Sequence, residues 1–163
     1  MRPALMLVRE QPGDHEDLRG RPFVGPAGEL LARAMDRAGL ARDSVFLTNA
    51  VRHFKFEPRG KRRIHKTPSQ AEAAACRHWL EEEIAIVQPH ALVALGATAA
   101  RSLLRRPVAV TAERGQWHER PDGRKVLVTL HPSALLRMDP ALQPDAFETF
   151  VRDLQASTQQ EGR

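Results

Sequence analysis

Short hydrophobic runs alternate along this chain with longer segments of helical periodicity. Runs of this length are typical of β-strands, and those that are continuously apolar are typical of strands buried on both faces of a sheet. The runs that predict strands lie at residues 4–8, 45–48, 91–95 and 126–130, and residues 108–111 and 116–118 are weaker candidates that lead towards the fourth strand.

Amphipathic segments between these runs predict helices. Residues 29–38 place apolar side chains three and four positions apart ahead of Gly39, a typical stop signal. Residues 69–72 have the sequence of a capping box that opens a helix ending near residue 87. Two further helices are expected at residues 96–104 and 144–156.

The alternation of strands and helices indicates βαβ units and a parallel sheet. We therefore predict an α/β protein, a three-layer α/β/α sandwich around a central, mainly parallel four-stranded sheet. A chain of 163 residues fits a single domain. We assign this domain to residues 1–156 and expect residues 157–163 to form a flexible tail.

The net charge of the chain is concentrated in one stretch, residues 52–66, called here the basic segment. It contains seven of the 25 Lys and Arg residues but only one acid, Glu57, so it carries +6 while the remaining residues balance to −1. Such clustering is typical of a surface that binds a polyanion such as a nucleic acid. The alternative is a solvated charge run that serves solubility alone. We expect the segment to form a loop that carries His65 at its tip.

Other features restrict where the protein acts. No hydrophobic run approaches the roughly 18–20 residues of a membrane span, and residues 1–8 are too short for the apolar core of a signal peptide. The single cysteine, Cys76, excludes an internal disulfide and fits a reducing compartment. We expect a cytoplasmic monomer without a membrane partner.

Polar residues follow three of the predicted strands. Glu10 comes after the first strand, Asn49 ends the second and His131 follows the fourth. In an open parallel sheet, ligands bind in the crevice beyond the carboxyl ends of the strands. The sequence therefore predicts a pocket at that edge to which all three residues contribute.

Each candidate also has a plain structural explanation. The acidic stretch at residues 10–17 can be a solvated loop, Phe23 a core side chain, Asn49 a turn former and His131 a hydrogen-bonded structural histidine. On the functional interpretation, Phe23 is a stacking platform for a nucleobase, and the amide of Asn49 matches the N3–H and O4 edge of uracil. The residue types alone leave both interpretations open.

His65 lies between cations in the basic segment. The neighbouring Arg63 and Lys66 disfavour the imidazolium form and so favour the neutral imidazole, which is the nucleophilic form. A histidine that simply belongs to a phosphate-binding segment is the alternative. Ser133 and Arg137, which follow the fourth strand, are placed to contact a phosphate.

Six motifs carry a resemblance to a known family. In chain order they are Glu10-Gln-Pro-Gly-Asp14, Arg21-Pro-Phe-Val-Gly-Pro-Ala-Gly28, Thr48-Asn-Ala-Val51, Gly60-Lys-Arg-Arg-Ile-His65, Ala94-Leu-Gly-Ala-Thr98 and His131-Pro-Ser133. Over about residues 4–154 the chain resembles the uracil-DNA glycosylase superfamily. The Lys-Arg-Arg-Ile-His insertion resembles the UdgX-type branch, and the other motifs are shared with the iron–sulfur family-4 glycosylases.

The resemblance implies recognition of uracil in DNA, which we expect to be single-stranded, by flipping the nucleotide into the pocket and cleaving its N-glycosidic bond. It also implies that Phe23 stacks on the uracil and that Asn49 reads its edge. His131 would stabilise the departing uracil anion by hydrogen bonding. Asp14 and Ser133 are the further candidates for substrate binding.

The same resemblance assigns roles at the sugar and along the DNA backbone. Glu10 and Gln11 would border the sugar, where a carboxylate favours an oxocarbenium-like transition state or positions water. His65 would attack C1′ and leave a covalent protein–DNA bond, so that the protein acts in a single turnover. The DNA-binding candidates are Lys61, Arg62, Arg63, Lys66 and Arg137.

Two departures from the family pattern qualify these expectations. Arg9 stands where the branch has a glycine, so its side chain would crowd the pocket, cause strain at a positive φ or contact a phosphate. Relatives carry an N-terminal segment with two cysteines that helps to hold a [4Fe–4S] cluster. In this chain only His53 and Cys76 match ligand positions, so the chain as given cannot complete the cluster.

Three functions therefore remain as hypotheses. The first is uracil excision with covalent capture by His65. The second is a conventional hydrolytic uracil-DNA glycosylase of base-excision repair. The third is a non-catalytic DNA-binding relic, silenced by Arg9 or by the lack of the N-terminal segment.

Overall fold

A five-stranded sheet forms the centre of the protein. The computed structural model describes residues 5–10, 25–50, 56–59, 62–65 and 70–159, with the backbone alone for 56–59, 62–65 and 70–75. The strands are β1 Leu5–Arg9, β2 Val45–Asn49, β3 Phe56–Arg59, β4 Arg62–His65, β5 Ala91–Leu95, β6 Trp117–Glu119 and β7 Lys125–Thr129. The sheet has the order β2-β1-β5-β7-β6, in which only β6 runs antiparallel to its neighbour.

Six helices accompany the strands in the described part of the chain. They are α1 Gly25–Ala38, α2 Gln70–Val87, α3 Ala97–Leu104, α4 Val110–Glu113, α5 Pro132–Leu136 and α6 Gln143–Ser157. None of the helices within the described residues is both long and apolar enough to cross a membrane.

Two hydrophobic clusters, one on each face of the sheet, hold the layers together. Leu31 and Met35 of α1 and Phe150 of α6 pack with Leu7 and Leu127 on one face. On the other face, α2 and α3 pack through Leu80, Ile84 and Leu103 against Met6, Leu92 and Val128. Because β1 and β5 are buried on both faces, the whole of β5 and the first four residues of β1 are apolar rather than alternating. The predicted α/β/α sandwich is confirmed.

The sheet has one strand more than predicted. β6 pairs with β7 over only three residues, and its side chains are half-buried or exposed, so its sequence carries too short a hydrophobic run to be counted as a sheet strand. The strand considered at residues 108–111 is wrong, because residues 110–113 form α4. The carboxylate of Glu113 accepts a hydrogen bond from the backbone N–H of Ala109 (2.9 Å) and so stabilises the first turn of this helix.

The expectation of a loop in the basic segment is also wrong. β3 and β4 form an antiparallel hairpin in which Phe56 is opposite His65 and Arg59 is opposite Arg62. His65 therefore lies at the open end of the hairpin rather than at its tip. The segment does not read as a strand in the sequence, because charged residues interrupt any alternation of apolar and polar positions and β3 contains Glu57 and Pro58, residue types depleted in typical strands.

Helix boundaries differ from the sequence prediction by a few residues. The first helix begins at Gly25 rather than residue 29, and the third begins after Gly96, which is its N-cap. The last helix continues through Ser157, which is buried, so the expected tail does not begin at residue 157. Residues 160–163 lie outside the described residues. Residues 66–69, which include the start of the predicted capping box, lie outside the described residues.

Candidate functional site

A cleft of about 220 Å³ lies beyond the carboxyl ends of the central strands. Four of the predicted site residues line it, namely Glu10, His131, Ser133 and Arg137, together with the segment 96–98. The order of the strands explains why they meet. Glu10 follows β1 and His131 follows β7, and β5 lies between these two strands. Since neighbouring strands are about 4.8 Å apart, the chain positions of Glu10 and His131 are separated by roughly 10 Å, with the end of β5 beneath the gap.

The ring of His131 is held in one orientation by the start of α5. Its Nδ1 accepts a hydrogen bond from the backbone N–H of Ser133 (3.0 Å) and lies 2.6 Å from Ser133 Oγ. A backbone N–H can only donate, so Nδ1 carries no proton in this arrangement and the neutral ring is protonated at Nε2. His131 thus offers an N–H donor in the cleft, which is the chemistry needed to stabilise a developing anion.

Arg137 extends this arrangement towards solvent. Its Nη2 donates to Ser133 Oγ (3.0 Å) and its Nε donates to the backbone oxygen of Ser133 (3.3 Å). Because Ser133 Oγ accepts from the guanidinium, its own proton is free to point at His131 Nδ1. Arg137 itself is exposed at the rim of the cleft, where a phosphate can reach it.

Gly96 allows His131 to approach the end of β5. It has φ +98°, which L side chains rarely adopt, and a Cβ added there would lie 3.0 Å from the Cβ of His131. The backbone N–H of Gly96 donates to the carbonyl oxygen of Thr129 (3.0 Å). A glycine is therefore required at this position by both backbone conformation and space.

Thr98 is a site residue that the sequence reasoning did not single out. Its Oγ1 donates a hydrogen bond to Glu10 Oε2 (3.1 Å), and it lies in the first turn of α3. This hydrogen bond fixes the direction of one oxygen of the Glu10 carboxylate. The motif at residues 94–98 contained the signal, since a Thr directly after a buried strand and a glycine is placed at the same edge of the sheet as Glu10.

Asn49 lies at the same edge of the sheet but lines a different pocket. It pairs with Arg9 across β1 and β2, and it shares a pocket of about 160 Å³ with Cys76 and Glu83. The Oδ1 atom of Asn49 is buried and has no hydrogen-bond partner among the described residues. This acceptor is thus available for a ligand, although Asn49 does not line the cleft that contains His131.

Arg9 does not cause the strain considered for it. It is a regular residue of β1, paired with Asn49, and its φ is not positive. Its carbonyl oxygen accepts a hydrogen bond from the N–H of Ala50 (2.7 Å), and its side chain is buried, with an exposed fraction of 6%. Such burial also argues against a phosphate contact.

The remaining candidates are not described at the level of side chains. The backbone of Arg62, Arg63 and His65 lies in β4. Gln11, Asp14, Phe23, His53, Lys61 and Lys66 lie outside the described residues, so their roles stay predictions.

Of the two candidate cluster ligands, Cys76 has a described side chain and His53 lies outside the described residues. Cys76 is half-buried on α2, beside Asn49, Trp79 and Glu83. Within the described residues no group of three or more His, Cys, Asp or Glu side chains is arranged to hold a metal ion. The described residues therefore do not form a cluster site. It stays a prediction that Cys76 and His53 act as cluster ligands, and that prediction requires further cysteines.

Comparisons with known proteins point to one family. The sequence model of the uracil DNA glycosylase superfamily matches residues 2–155. The chain is 42% identical to the type-4 uracil-DNA glycosylase of Thermotoga maritima over 134 residues, which cover 82% of this chain and 66% of that protein. It is 38% identical to the type-4 enzyme of Pyrobaculum aerophilum over 161 residues, covering 94% of this chain and 76% of that protein. The chain is 35% identical to the type-4 uracil-DNA glycosylase of Sulfurisphaera tokodaii over 160 residues, which cover 92% of this chain and 69% of that protein.

Proposed function

This chain belongs to the uracil DNA glycosylase superfamily, and on that premise we propose that it excises uracil from DNA as an N-glycosidase of DNA repair. The observation that carries the proposal is the cleft in which the Glu10 carboxylate and the Nε2–H donor of His131 occur together. Cleavage of an N-glycosidic bond develops positive charge on the sugar and negative charge on the departing base. The two groups match these two charges.

In the proposed reaction the uracil nucleotide leaves the base stack and enters the site, because an enzyme cannot reach the bond inside a stacked strand. The bond from C1′ to N1 of uracil breaks, and both electrons stay with the base. His131 donates a hydrogen bond to the uracil anion. Glu10, oriented by a hydrogen bond from Thr98, stabilises the oxocarbenium-like sugar through its carboxylate. Asn49 and Phe23 are proposed to read and stack on the base.

The fate of the sugar is the finer part of the proposal. His65 attacks C1′ through its neutral imidazole, forms a C–N bond and keeps the sugar attached to the protein, as the Lys61-Arg-Arg-Ile-His65 motif of the UdgX-type branch implies. The names of the relatives favour the second candidate, a conventional type-4 glycosylase in which water attacks C1′. The unstrained backbone of Arg9 removes one reason for the third candidate, a silenced relic.

The DNA partner is proposed to be single-stranded and to bind through sequence-independent phosphate contacts. The basic segment supplies charge for these contacts, and Arg137 supplies a further cation at the rim of the cleft. We propose that the protein acts as a monomer in the cytoplasm.

A denaturing gel distinguishes the three candidates. The protein is incubated with an end-labelled single-stranded oligonucleotide that contains one uracil, heated in denaturant and separated. Covalent capture gives a slow band that resists denaturation, disappears in His65→Ala and persists in His90→Ala, an exposed histidine elsewhere. A strand that alkali cleaves at the uracil position, without a slow band, indicates hydrolysis. A strand that stays intact with every form of the protein contradicts the proposed glycosylase activity.

A further inference from the structure

A buried carboxylate on α6 is bound to the carboxyl end of β7. Asp153 has an exposed fraction of 4%, and its Oδ2 accepts hydrogen bonds from Thr129 Oγ1 (2.7 Å) and Arg114 Nε (3.1 Å). Its Oδ1 accepts a further bond from Arg114 Nη2 (2.9 Å). Burying a charge in a mainly apolar layer is costly unless its oxygens are paired and hydrogen-bonded. The three donors meet that requirement.

The backbone next to Arg114 is adapted to this carboxylate. Gly115 has φ +76°, and a Cβ added there would lie 2.9 Å from Asp153 Oδ1. Its N–H donates to the carbonyl oxygen of Val128 in β7 (2.8 Å). The segment that supplies the arginine is thereby fixed to the same strand as Thr129, so all parts of the network converge on the last residues of β7.

A buried ion-pair network of this kind contributes little to stability by itself. Well-packed hydrophobic residues can often replace a buried ion pair with little or no loss of stability, so stability alone does not account for the network. The Arg114–Asp153–Thr129 network is therefore better explained by the geometry that it imposes. That geometry concerns the segment immediately after β7.

Thr129 connects the network to the cleft. It is fully buried, lies two residues before His131, and its carbonyl oxygen accepts the hydrogen bond from the N–H of Gly96 (3.0 Å). A Cβ added at Gly96 would lie 3.0 Å from the Cβ and 3.5 Å from the Cδ2 of His131, so the ring of His131 lies beside this residue. A shift at the end of β7 therefore moves both the backbone that leads to His131 and the backbone of Gly96 beside its ring.

From these contacts we infer that Asp153, Arg114 and Thr129 are positioning residues for His131, acting through the end of β7 without touching the substrate. The inference rests on the proposed function for its catalytic consequence, but not for its structural one. Displacing a catalytic group by about 1 Å can lower a rate by about 100-fold. Loss of the network should thus lower the rate of uracil release far more than the affinity for DNA.

The test replaces Thr129 by valine, which has nearly the same shape but lacks the hydroxyl. We expect Thr129→Val to lower the single-turnover rate of uracil release by about 10- to 100-fold, with the Kd for the oligonucleotide changed by less than about threefold. Thr129→Ser, which keeps the hydroxyl, should restore the rate. Ser157→Ala is the matched control, because it removes a buried hydroxyl of α6 that donates to the carbonyl oxygen of Leu154 in its own helix. Equal losses of rate in Thr129→Val and Ser157→Ala would overturn the inference.

A second readout separates failure of the inference from failure of the proposed function. The ring nitrogens of His131 in ¹⁵N-labelled protein should give distinct shifts for an acceptor Nδ1 and a protonated Nε2, and Thr129→Val should average them. If the wild-type protein releases no uracil, the proposed function fails, and these spectra still decide the inference. Unchanged His131 shifts in Thr129→Val would overturn it. Should that variant not fold, Arg114→Gln, at a partly exposed position, is expected to change the same spectra to a smaller degree.

Discussion

At the scale of single residues, Glu10 depends on one neighbour that the sequence did not reveal as important. The hydrogen bond from Thr98 Oγ1 fixes the direction of one oxygen of the Glu10 carboxylate. We predict that Thr98→Val lowers the single-turnover rate of uracil release by about tenfold, since a hydrogen bond to a charged group contributes about 1.5–3 kcal/mol. Thr98→Ser should retain most of the rate.

Thr111→Val provides the control for this substitution, because Thr111 is exposed on α4, away from the cleft. The rates of uracil release by the three variants and by the wild-type protein are measured on the same uracil oligonucleotide at saturating protein. A wild-type rate in Thr98→Val would mean that Glu10 is oriented by other contacts and that Thr98 has no part in catalysis.

At the scale of secondary-structure elements, the junction of β5 and α3 determines where His131 lies. Gly96→Ala places a Cβ 3.0 Å from that of His131 and forces a non-glycine residue into φ +98°. We predict a loss of about 1–3 kcal/mol in the free energy of unfolding from the backbone conformation, together with a loss of uracil release of at least tenfold. Urea unfolding and the single-turnover assay measure the two effects.

Gly123→Ala separates backbone strain from contact with His131. Gly123 also has a positive φ, +87°, but a Cβ there meets no atom within 4 Å. Gly123→Ala should therefore lower the free energy of unfolding, as Gly96→Ala does, but keep the wild-type rate of uracil release. Equal rates in both variants would show that the position of His131 does not depend on Gly96.

The β6–β7 hairpin is fixed to the helical layer by Arg120, which is 4% exposed and bonds to Glu81 (2.6 Å), Asp122 (3.2 Å) and the carbonyl oxygen of Leu103 (3.2 Å). Burial raises the pKa of Asp122, but hydrogen bonds from the Arg124 backbone and from Arg120 outweigh it and leave that pKa below its usual value. A pKa lower in the folded than in the unfolded state stabilises the fold above the unfolded value, near 3.9. This contribution is lost as the pH falls through the folded value.

We therefore predict that Asp122→Asn lowers the free energy of unfolding at pH 6 and that the difference from wild type narrows between about pH 5 and pH 3. Urea denaturation at several pH values measures this dependence. Asp43→Asn, at an exposed position, should run parallel to wild type. A difference that stays constant or widens on acidification would contradict the assigned role of Asp122.

The sequence predicted elements whose signal is local and missed those that depend on partners. Continuous apolar runs identified β1 and β5, and the edge at which Glu10 and His131 meet followed from the order of strands and helices. β6 was undercounted because three residues carry little periodicity, and β4 was hidden by its cations. The hydrogen bonds from Thr98 to Glu10 and from Thr129 to Asp153 join residues 88 and 24 positions apart, which no local pattern encodes.

At the scale of the whole molecule, the distribution of charge predicts how DNA affinity depends on salt. The basic segment carries +6, whereas the rest of the chain is nearly neutral. Each phosphate neutralised in single-stranded DNA contributes about 0.7 to the magnitude of the slope of log K against log salt concentration. Replacing Lys61, Arg62 and Arg63 with glutamine should therefore reduce that slope by about 2 and weaken binding at low salt.

The matched control removes the same charge from the edge of the sheet at which β5 and β7 begin. It replaces Arg105 and Arg106, which follow the end of α3, and Arg124, which precedes β7. Each of these arginines forms an ion pair, Arg105 with Glu81, Arg106 with Glu113 and Arg124 with Asp122. If affinity depends on net charge alone, the slope of log K against log salt concentration will fall by the same amount in both triple variants, and the basic segment will have no special role. We expect the control to keep the wild-type slope in fluorescence-anisotropy titrations, because charges more than a Debye length from the DNA, about 10 Å at 0.1 M salt, are largely screened.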